Sequence, residues 1–235
     1  MNLVDLAILL ILAIMILGGY YRGFIETVCG IFATIISWCV GMLARPLVTN
    51  WITGREKLYQ TMLYYTEGSE YVAITDVELT RAPISSISLD QLNLILDNAD
   101  MPIPMDRCIT RNIATEAFSA EGITTLGDYF NQTIVLVVIN ILAVLAIFFV
   151  VRLVLGFLIR GVDFARGGFP VLQRADGLIG AGLGLVHGVF VLFVLFMLVP
   201  IALTVLPKLY DFLAESFFGE FFYRANFLLR VVPGT

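Results

Sequence analysis

The chain has 235 residues, 59% of them hydrophobic and only 14% charged, with a formal net charge of −5 and a mean hydropathy of +0.92. That balance lies outside the range of soluble globular domains and points to an all-α membrane protein. It excludes a nucleic-acid partner, because an acidic exposed face repels phosphates. A single histidine cannot supply an HExxH zinc site, and no P-loop, GxSxG elbow or cysteine cluster is present, so no catalytic residue, cofactor or metal is expected.

A bilayer core of about 30 Å needs about 20 mostly apolar residues per helix. Four stretches qualify, 3–19, 24–44, 133–159 and 178–203. They divide the chain into 1–44 (transmembrane helices 1 and 2), an acidic insert 45–132, 133–205 (transmembrane helices 3 and 4) and an amphipathic C-terminal segment 206–235. The first stretch begins MNLVD, with no basic residue and no small-residue cleavage site, and runs on into GGYYRG. It is expected to be retained, with a signal anchor as the alternative.

Residues 20–26 read YYRGFIE. Arg22 marks a tight cytoplasmic turn, Gly23 supplies its backbone freedom, and Tyr20, Tyr21 and Phe24 suit the membrane interface. Glu26 lies about one turn inside the second stretch and must be protonated or paired. Arg22 is its nearest candidate partner, with Arg152 or the helix of Asp176 behind it. Cys29 and Cys39, about 15 Å apart on one helix, cannot bridge and read as apolar packing residues.

The insert carries six cations against twelve carboxylates, a net −6, and has enough periodicity to fold as a small extracytoplasmic subdomain. SLDQLNLILDNAD (88–100) predicts an amphipathic helix capped by Ser88, with Gln91 completing a capping box and Leu89, Leu92, Leu96 and Ile95 on its apolar face. A second helix is expected within 104–123, and YVAITDVEL (71–79) reads as extended. Cys108 reads as a buried thiol, with a free or intermolecular thiol as the alternative.

Arg152 falls within or just below the third stretch. It either pairs with Glu26 or Asp176 or snorkels to the headgroups. In the fourth stretch, ADGLIGAGLGLVHGVF (175–190) puts Asp176, Gly177, Gly180, Gly184, His187 and Gly188 on one helical face. Small residues at this spacing let a neighbouring helix, from the same chain or another copy, approach closely. His187 lies near mid-membrane, where an interhelical hydrogen bond or a proton-linked role would account for it.

Arg22, Arg160, Arg166 and Arg174 flank the two short connections, which places those connections inside. The N-terminus, the insert and the C-terminus are then outside. The aromatic-rich segment 208–230 is too charged to span; it is expected to form an amphipathic helix, either interfacial or docked against the insert.

Asp5 in the first stretch, Arg22-Gly23-Phe24 at the turn, and Asp176 leading through Gly180 into LGLVHG (183–188) together resemble the colicin V production protein family of bacterial inner-membrane proteins. The resemblance covers roughly 3–48 and 133–205. Its pattern runs D, RGFxxE, and later DR-x-x-G-x-x-x-G-x-x-RG; here Glu26 comes one residue early, Gly177 and His187 replace arginines, and the insert is longer. The resemblance implies a non-enzymatic protein of the bacterial cytoplasmic membrane linked to toxin production or export and to envelope homeostasis. Arg22, Gly23, Phe24, Asp176, Gly180, Gly184 and Gly188 then stand as structural signature positions. The expected partners are the lipid bilayer and a membrane or periplasmic protein, or a second copy bound through the glycine face of transmembrane helix 4. The competing expectation is a small transporter or channel with Glu26, Arg152 and His187 as its polar lining.

Overall fold

The computed structural model describes residues 2–99, 101–119, 122–166, 175–206 and 208–235, with backbone alone for 160–166, 175 and 176. The elements follow in chain order: α1 (Leu3–Thr53), α2 (Glu56–Thr66), α3 (Ser69–Ala73), two 3-10 turns (Val77–Arg81 and Ile84–Ser86), α4 (Leu89–Asn98), α5 (Met105–Ala114), α6 (Leu126–Arg166), α7 (Ala175–Phe196), α8 (Val199–Val205), α9 (Leu209–Ala214), α10 (Phe217–Arg224) and α11 (Phe227–Val231). Among the described residues there is no strand; one isolated bridge pairs Pro83 with Thr125. Three helical stretches are long and apolar enough to cross a membrane: Leu3–Thr53, Leu126–Ile159 and Gly177–Val205.

At 51 residues, α1 would be about 77 Å long if straight, more than twice a bilayer core. It is not straight. Gly23 has φ 80° and ψ −177°, a conformation that a Cβ would strain and glycine adopts freely. The contacts on either side of Gly23 show what this does to the chain. Going back from Gly23, Gly19 meets Gly180 and Gly184, and Met15 meets Gly184 and Gly188; going forward, Gly30 lies against His187 and Thr34 bonds to it. Both directions lead along α7 toward its C-terminal end, so the two arms of α1 fold back on each other at Gly23.

The chain forms two compact units. The first comprises Met1–Arg45, Ala143–Val199 and Lys208–Phe227; the second comprises Pro46–Leu142, Pro200–Pro207 and Leu228–Thr235. In the first, the N-terminal arm of α1 packs on the glycine face of α7, and Gly41 of the C-terminal arm packs on Val144 and Phe148 of α6. In the second, Ile52, Phe118, Tyr129, Val135, Leu136 and Ile139 form a buried cluster with Tyr59, Met62, Leu63 and Ile113 against it. Each such side chain stabilises the insert by about 1.5–3 kcal/mol through removal from water.

Several elements differ from their sequence reading. Helix α1 continues nine residues beyond the expected end at 44, running through Pro46 to Thr53; the proline removes one ladder bond and the next turn resumes it. The third stretch starts earlier, at Leu126. The fourth breaks at Met197–Leu198, between α7 and α8, because Pro200 has no N–H to offer the carbonyl of Phe196. Residues 71–79, expected to be extended, are helical: Val72 is fully buried within α3, and the Asp76 side chain accepts from the Glu78 N–H to start a 3-10 turn, so burial and capping override β-branched propensity. The capping box of Ser88 and Gln91 is present as expected, but Leu92 and Ile95 carry the buried face of α4, while Leu89 is exposed. The expected C-terminal helix is three short ones: Ser216 accepts from the Gly219 N–H and begins a new helix, and the next break falls at Asn226, whose side chain is turned inward. Cys29 and Cys39, expected to pack, are exposed on the surface of α1; Cys108 is buried.

Candidate functional site

The first unit contains a cavity of about 420 Å³ between α1, α6 and α7. Its polar lining is Arg22, Glu26, Thr27, Thr34, Arg152 and His187; its apolar lining includes Met15, Phe148, Phe149, Val191 and Leu195. The sequence-expected polar residues Glu26, Arg152 and His187 are thus gathered around one space, although they come from three helices.

Arg22 and Glu26 stand on opposite sides of the Gly23 reversal, and Arg22 Nε lies 3.5 Å from Glu26 Oε1 with side chains 54% and 40% exposed. An ion pair that open to solvent is worth about 0.3–0.5 kcal/mol in water, so its value is in steering the two groups rather than in holding the fold. Thr27, one turn beyond the reversal, donates to the Gly23 carbonyl at 2.7 Å and satisfies a backbone acceptor that the break leaves over.

His187 is buried, and its Nε2 lies 2.8 Å from Thr34 Oγ1. The Thr34 hydroxyl donates its one proton to the Gly30 carbonyl at 2.8 Å. By elimination His187 Nε2 carries the hydrogen and donates to Thr34, which leaves Nδ1 as the acceptor nitrogen. The expected interhelical hydrogen bond of His187 is therefore present, joining α7 to the C-terminal arm of α1. Gly41 against Val144 and Phe148 sets the register of α6. Since α6 runs opposite to that arm, Arg152 comes at the level of Thr34 and His187, about 16 Å from Gly23.

The glycine face of α7 has its neighbour in this chain. A Cβ on Gly180 would meet the carbonyl oxygen of Gly19 and the backbone of Gly23, and one on Gly184 would meet the Met15 carbonyl; Gly177 faces Tyr20, and Gly188 faces Leu12 and Met15. Asp176 belongs to α7, but its side chain is outside the described residues, as are those of Arg160, Arg166 and Arg174. Phe24, the last of the turn's signature positions, is exposed beside Gly23.

Two features escaped sequence reasoning. Asp5 is 1% exposed and accepts from Ser216 Oγ at 2.6 Å, the Phe218 N–H at 3.0 Å and the Asn2 N–H at 3.1 Å. It thereby fixes the start of α1 to the start of α10, while α10 stacks Phe222 against Phe193 and Phe196 of α7 at 5.2 and 5.7 Å. In the second unit the last residues are held by buried amides. Asn112 Nδ2 donates to Thr133 Oγ1 at 2.8 Å and to the Gly234 carbonyl at 3.1 Å. Asn140 Nδ2 donates to the Pro233 carbonyl at 2.9 Å, and its Oδ1 accepts from the Thr49 hydroxyl at 2.8 Å. The expected docking was of a helix within 208–230; α10 of that segment packs on α7, and it is the residues after it, Val232–Gly234, that lie against α5 and α6. Cys108 faces this tail, and burial, reinforced by Asp106, pushes its thiol up to about 11.

The long apolar helices and the glycine-packed bundle define an α-helical membrane protein. Residues 4–75 match the model of a protein family described as Colicin V production protein, the family that the Arg22-Gly23-Phe24 turn and the Gly180 to Gly188 element resemble. The matched segment takes in both arms of α1, the Gly23 reversal and α2 with α3. No curated protein and no solved structure matches the chain.

Proposed function

We propose that this protein crosses the bacterial cytoplasmic membrane four times and acts there as a non-enzymatic scaffold of the colicin V production type, serving toxin production or export or the upkeep of the envelope. The two arms of α1 are the first two crossings, α6 the third, and α7 with α8 the fourth. Two sets of contacts support this path. Gly23 meets Gly180 at one end of the first unit, at the turn that carries Arg22. Asp5 meets Ser216 at the other. Positive charge at the short turns directs that end inward and leaves the insert and C-terminus outside.

The observation that carries the scaffold reading is the folded state of the insert. A mere connection between two crossings would not build a buried aromatic cluster around Phe118 and Tyr129 or clamp the chain terminus with Asn112 and Asn140. A folded, acidic face outside the membrane suits a membrane or periplasmic protein partner. Photo-crosslinkers at exposed insert positions such as Ser85 and Leu94 test it: discrete protein adducts in native membranes are expected, and their absence from every exposed insert position would refute the reading.

A second reading, a small transporter or channel, is favoured by the cavity that gathers Glu26, Arg152 and His187. Flux in liposomes that His187→Ala leaves intact would count against a proton-linked form of it.

A further inference from the structure

We propose that α10 dips from the outer rim of the bilayer toward its middle and presents Phe217 and Phe221 to the acyl chains of the outer leaflet, a lipid-contact surface on a helix that does not span. The inference rests on the four-crossing path and adds to it an element that enters the apolar core from the outside. Depth is the first argument. Gly23 and Gly180 touch at the inner turn, and helical rise measures distance outward from them. Asp5 stands about 27 Å from Gly23 along α1, close to the outer edge of a core of about 30 Å. Phe196, Phe193 and Phe190 stand about 24, 20 and 15 Å from Gly180 along α7. The C-terminal segment meets these markers in order: Ser216 bonds to Asp5, Phe222 stacks on Phe196 and Phe193, and Phe227 stacks on Phe193 and Phe190 at 5.4 and 6.4 Å. Helix α10 therefore descends as it runs.

The backbone supplies the second argument. A helix end inside a bilayer must have its polar groups met by protein, because no water is there to meet them. The Phe218 N–H donates to Asp5 at 3.0 Å, the Gly219 N–H to Ser216 Oγ at 2.9 Å and the Glu220 N–H to the Ser216 carbonyl at 3.0 Å. Below α10, Asn226 Nδ2 donates to the Phe193 carbonyl in the last turn of α7 at 2.9 Å. Asp5, Ser216 and Asn226 are all buried, a degree of internal satisfaction that a helix lying among hydrated headgroups does not require. Glu220 and Arg224 pair at 2.9 Å, which lowers the cost of charge at this depth. Helix α9, with Asp211, stays at the rim, where Asn2 Nδ2 donates to the Phe212 carbonyl at 2.7 Å. The surface itself is the third argument. Gly219, Phe222 and Tyr223 are the buried side of α10, whereas Phe217 and Phe221, one turn apart, are 78% and 55% exposed. At a level of about 20–27 Å the medium around those bare rings is hydrocarbon.

The test uses the full chain in liposomes, with Trp38 and Trp51 replaced by phenylalanine and one tryptophan returned as Phe217→Trp, Phe221→Trp or Ile36→Trp. Ile36 is exposed on the second arm of α1, about 20 Å from Gly23, and marks the lipid face of a crossing at the same depth. Phosphatidylcholine brominated on its acyl chains quenches a tryptophan that it touches, and aqueous iodide quenches one in water. We expect bromolipid to quench Phe217→Trp and Phe221→Trp as it does Ile36→Trp, and iodide to leave all three unaltered. Quenching of the two α10 tryptophans by iodide instead, or by neither agent as under a protein partner, overturns the proposal while a quenched Ile36→Trp leaves the crossings standing. An Ile36→Trp that bromolipid does not quench overturns the crossings and the proposal together. Should the tryptophan-free background not fold, a spin label at Phe217→Cys, with Cys29, Cys39 and Cys108 replaced by alanine, gives the same reading: greater accessibility to oxygen than to a nickel chelate is expected, and the reverse overturns the proposal.

Discussion

Gly180→Ala, set against Gly182→Ala, isolates the close packing of α7 on α1. Both substitutions add one methyl to one helix two residues apart, and both gain the same helix propensity, about 1 kcal/mol in water. Their surroundings differ completely. A Cβ at 182 has nothing within 4 Å, whereas a Cβ at 180 meets the Gly19 carbonyl oxygen, with Gly23 backbone atoms at 3.0 and 3.1 Å. Backbone cannot rotate out of the way, so α7 and the N-terminal arm must separate by on the order of 1 Å and give up dispersion contacts along the whole seam. Overpacking of this kind costs about 1–3 kcal/mol. Because the propensity gain cancels between the two variants, that range is the expected difference, or about 2–12 °C in midpoint for a chain of this size. Thermal unfolding in detergent, followed by size-exclusion fluorescence, reads it. Equal midpoints for the two variants would refute the packing argument.

Three further outcomes follow from the same contacts. Asp5→Ala leaves the Ser216 hydroxyl and Phe218 N–H without their acceptor and should cost about 1–3 kcal/mol, with Asp5→Asn milder; protease cleavage between α8 and α10 reports the loss, and unchanged protection in Asp5→Ala would contradict it. In a Cys29→Ala, Cys39→Ala background, Cys108 should resist maleimide at neutral pH, because burial holds its thiol at about 11, and removal of Val232–Thr235 should expose it to labelling; equal rates would show that the tail does not cover it. Glu70 is held above the usual carboxylate range by its hydrogen bond and proximity to Glu67. Its protonated form is therefore favoured by folding, so this contribution is lost as pH rises from the ordinary glutamate value through the raised one. The midpoint of Glu70→Gln should gain on the wild type over that window, and parallel curves would contradict the assignment.

What was legible in the sequence was local or periodic. The Gly180, Gly184 and Gly188 spacing announced a bare helix face, Ser88 with Gln91 announced a cap, and the separation of Arg22 from Glu26 announced their pairing. The Gly23 break was legible as a turn because two apolar runs met there. What could not be read depends on partners far along the chain. Asp5 was read only as the leading residue of the family resemblance, since nothing near it in sequence points to Ser216. Asn112 and Asn140 carry no local sign that they hold the tail, because their acceptors are backbone carbonyls that any residue supplies. Residues 71–79 were misread because tyrosine, valine and isoleucine favour strands only until burial of Val72 decides otherwise. The cavity was half legible: its polar residues were singled out, but bringing them to one level required the register of α6 that Gly41 sets.

The central claim is a chain that turns at Gly23 on one side of the membrane and folds its insert on the other. In a background with Cys29, Cys39 and Cys108 replaced by alanine, Tyr21→Cys and Ser85→Cys can each be labelled with a membrane-impermeant maleimide before and after the cytoplasmic membrane is opened. The account predicts that Ser85→Cys reacts at once and Tyr21→Cys reacts only after opening. Labelling of both from the same side would contradict it.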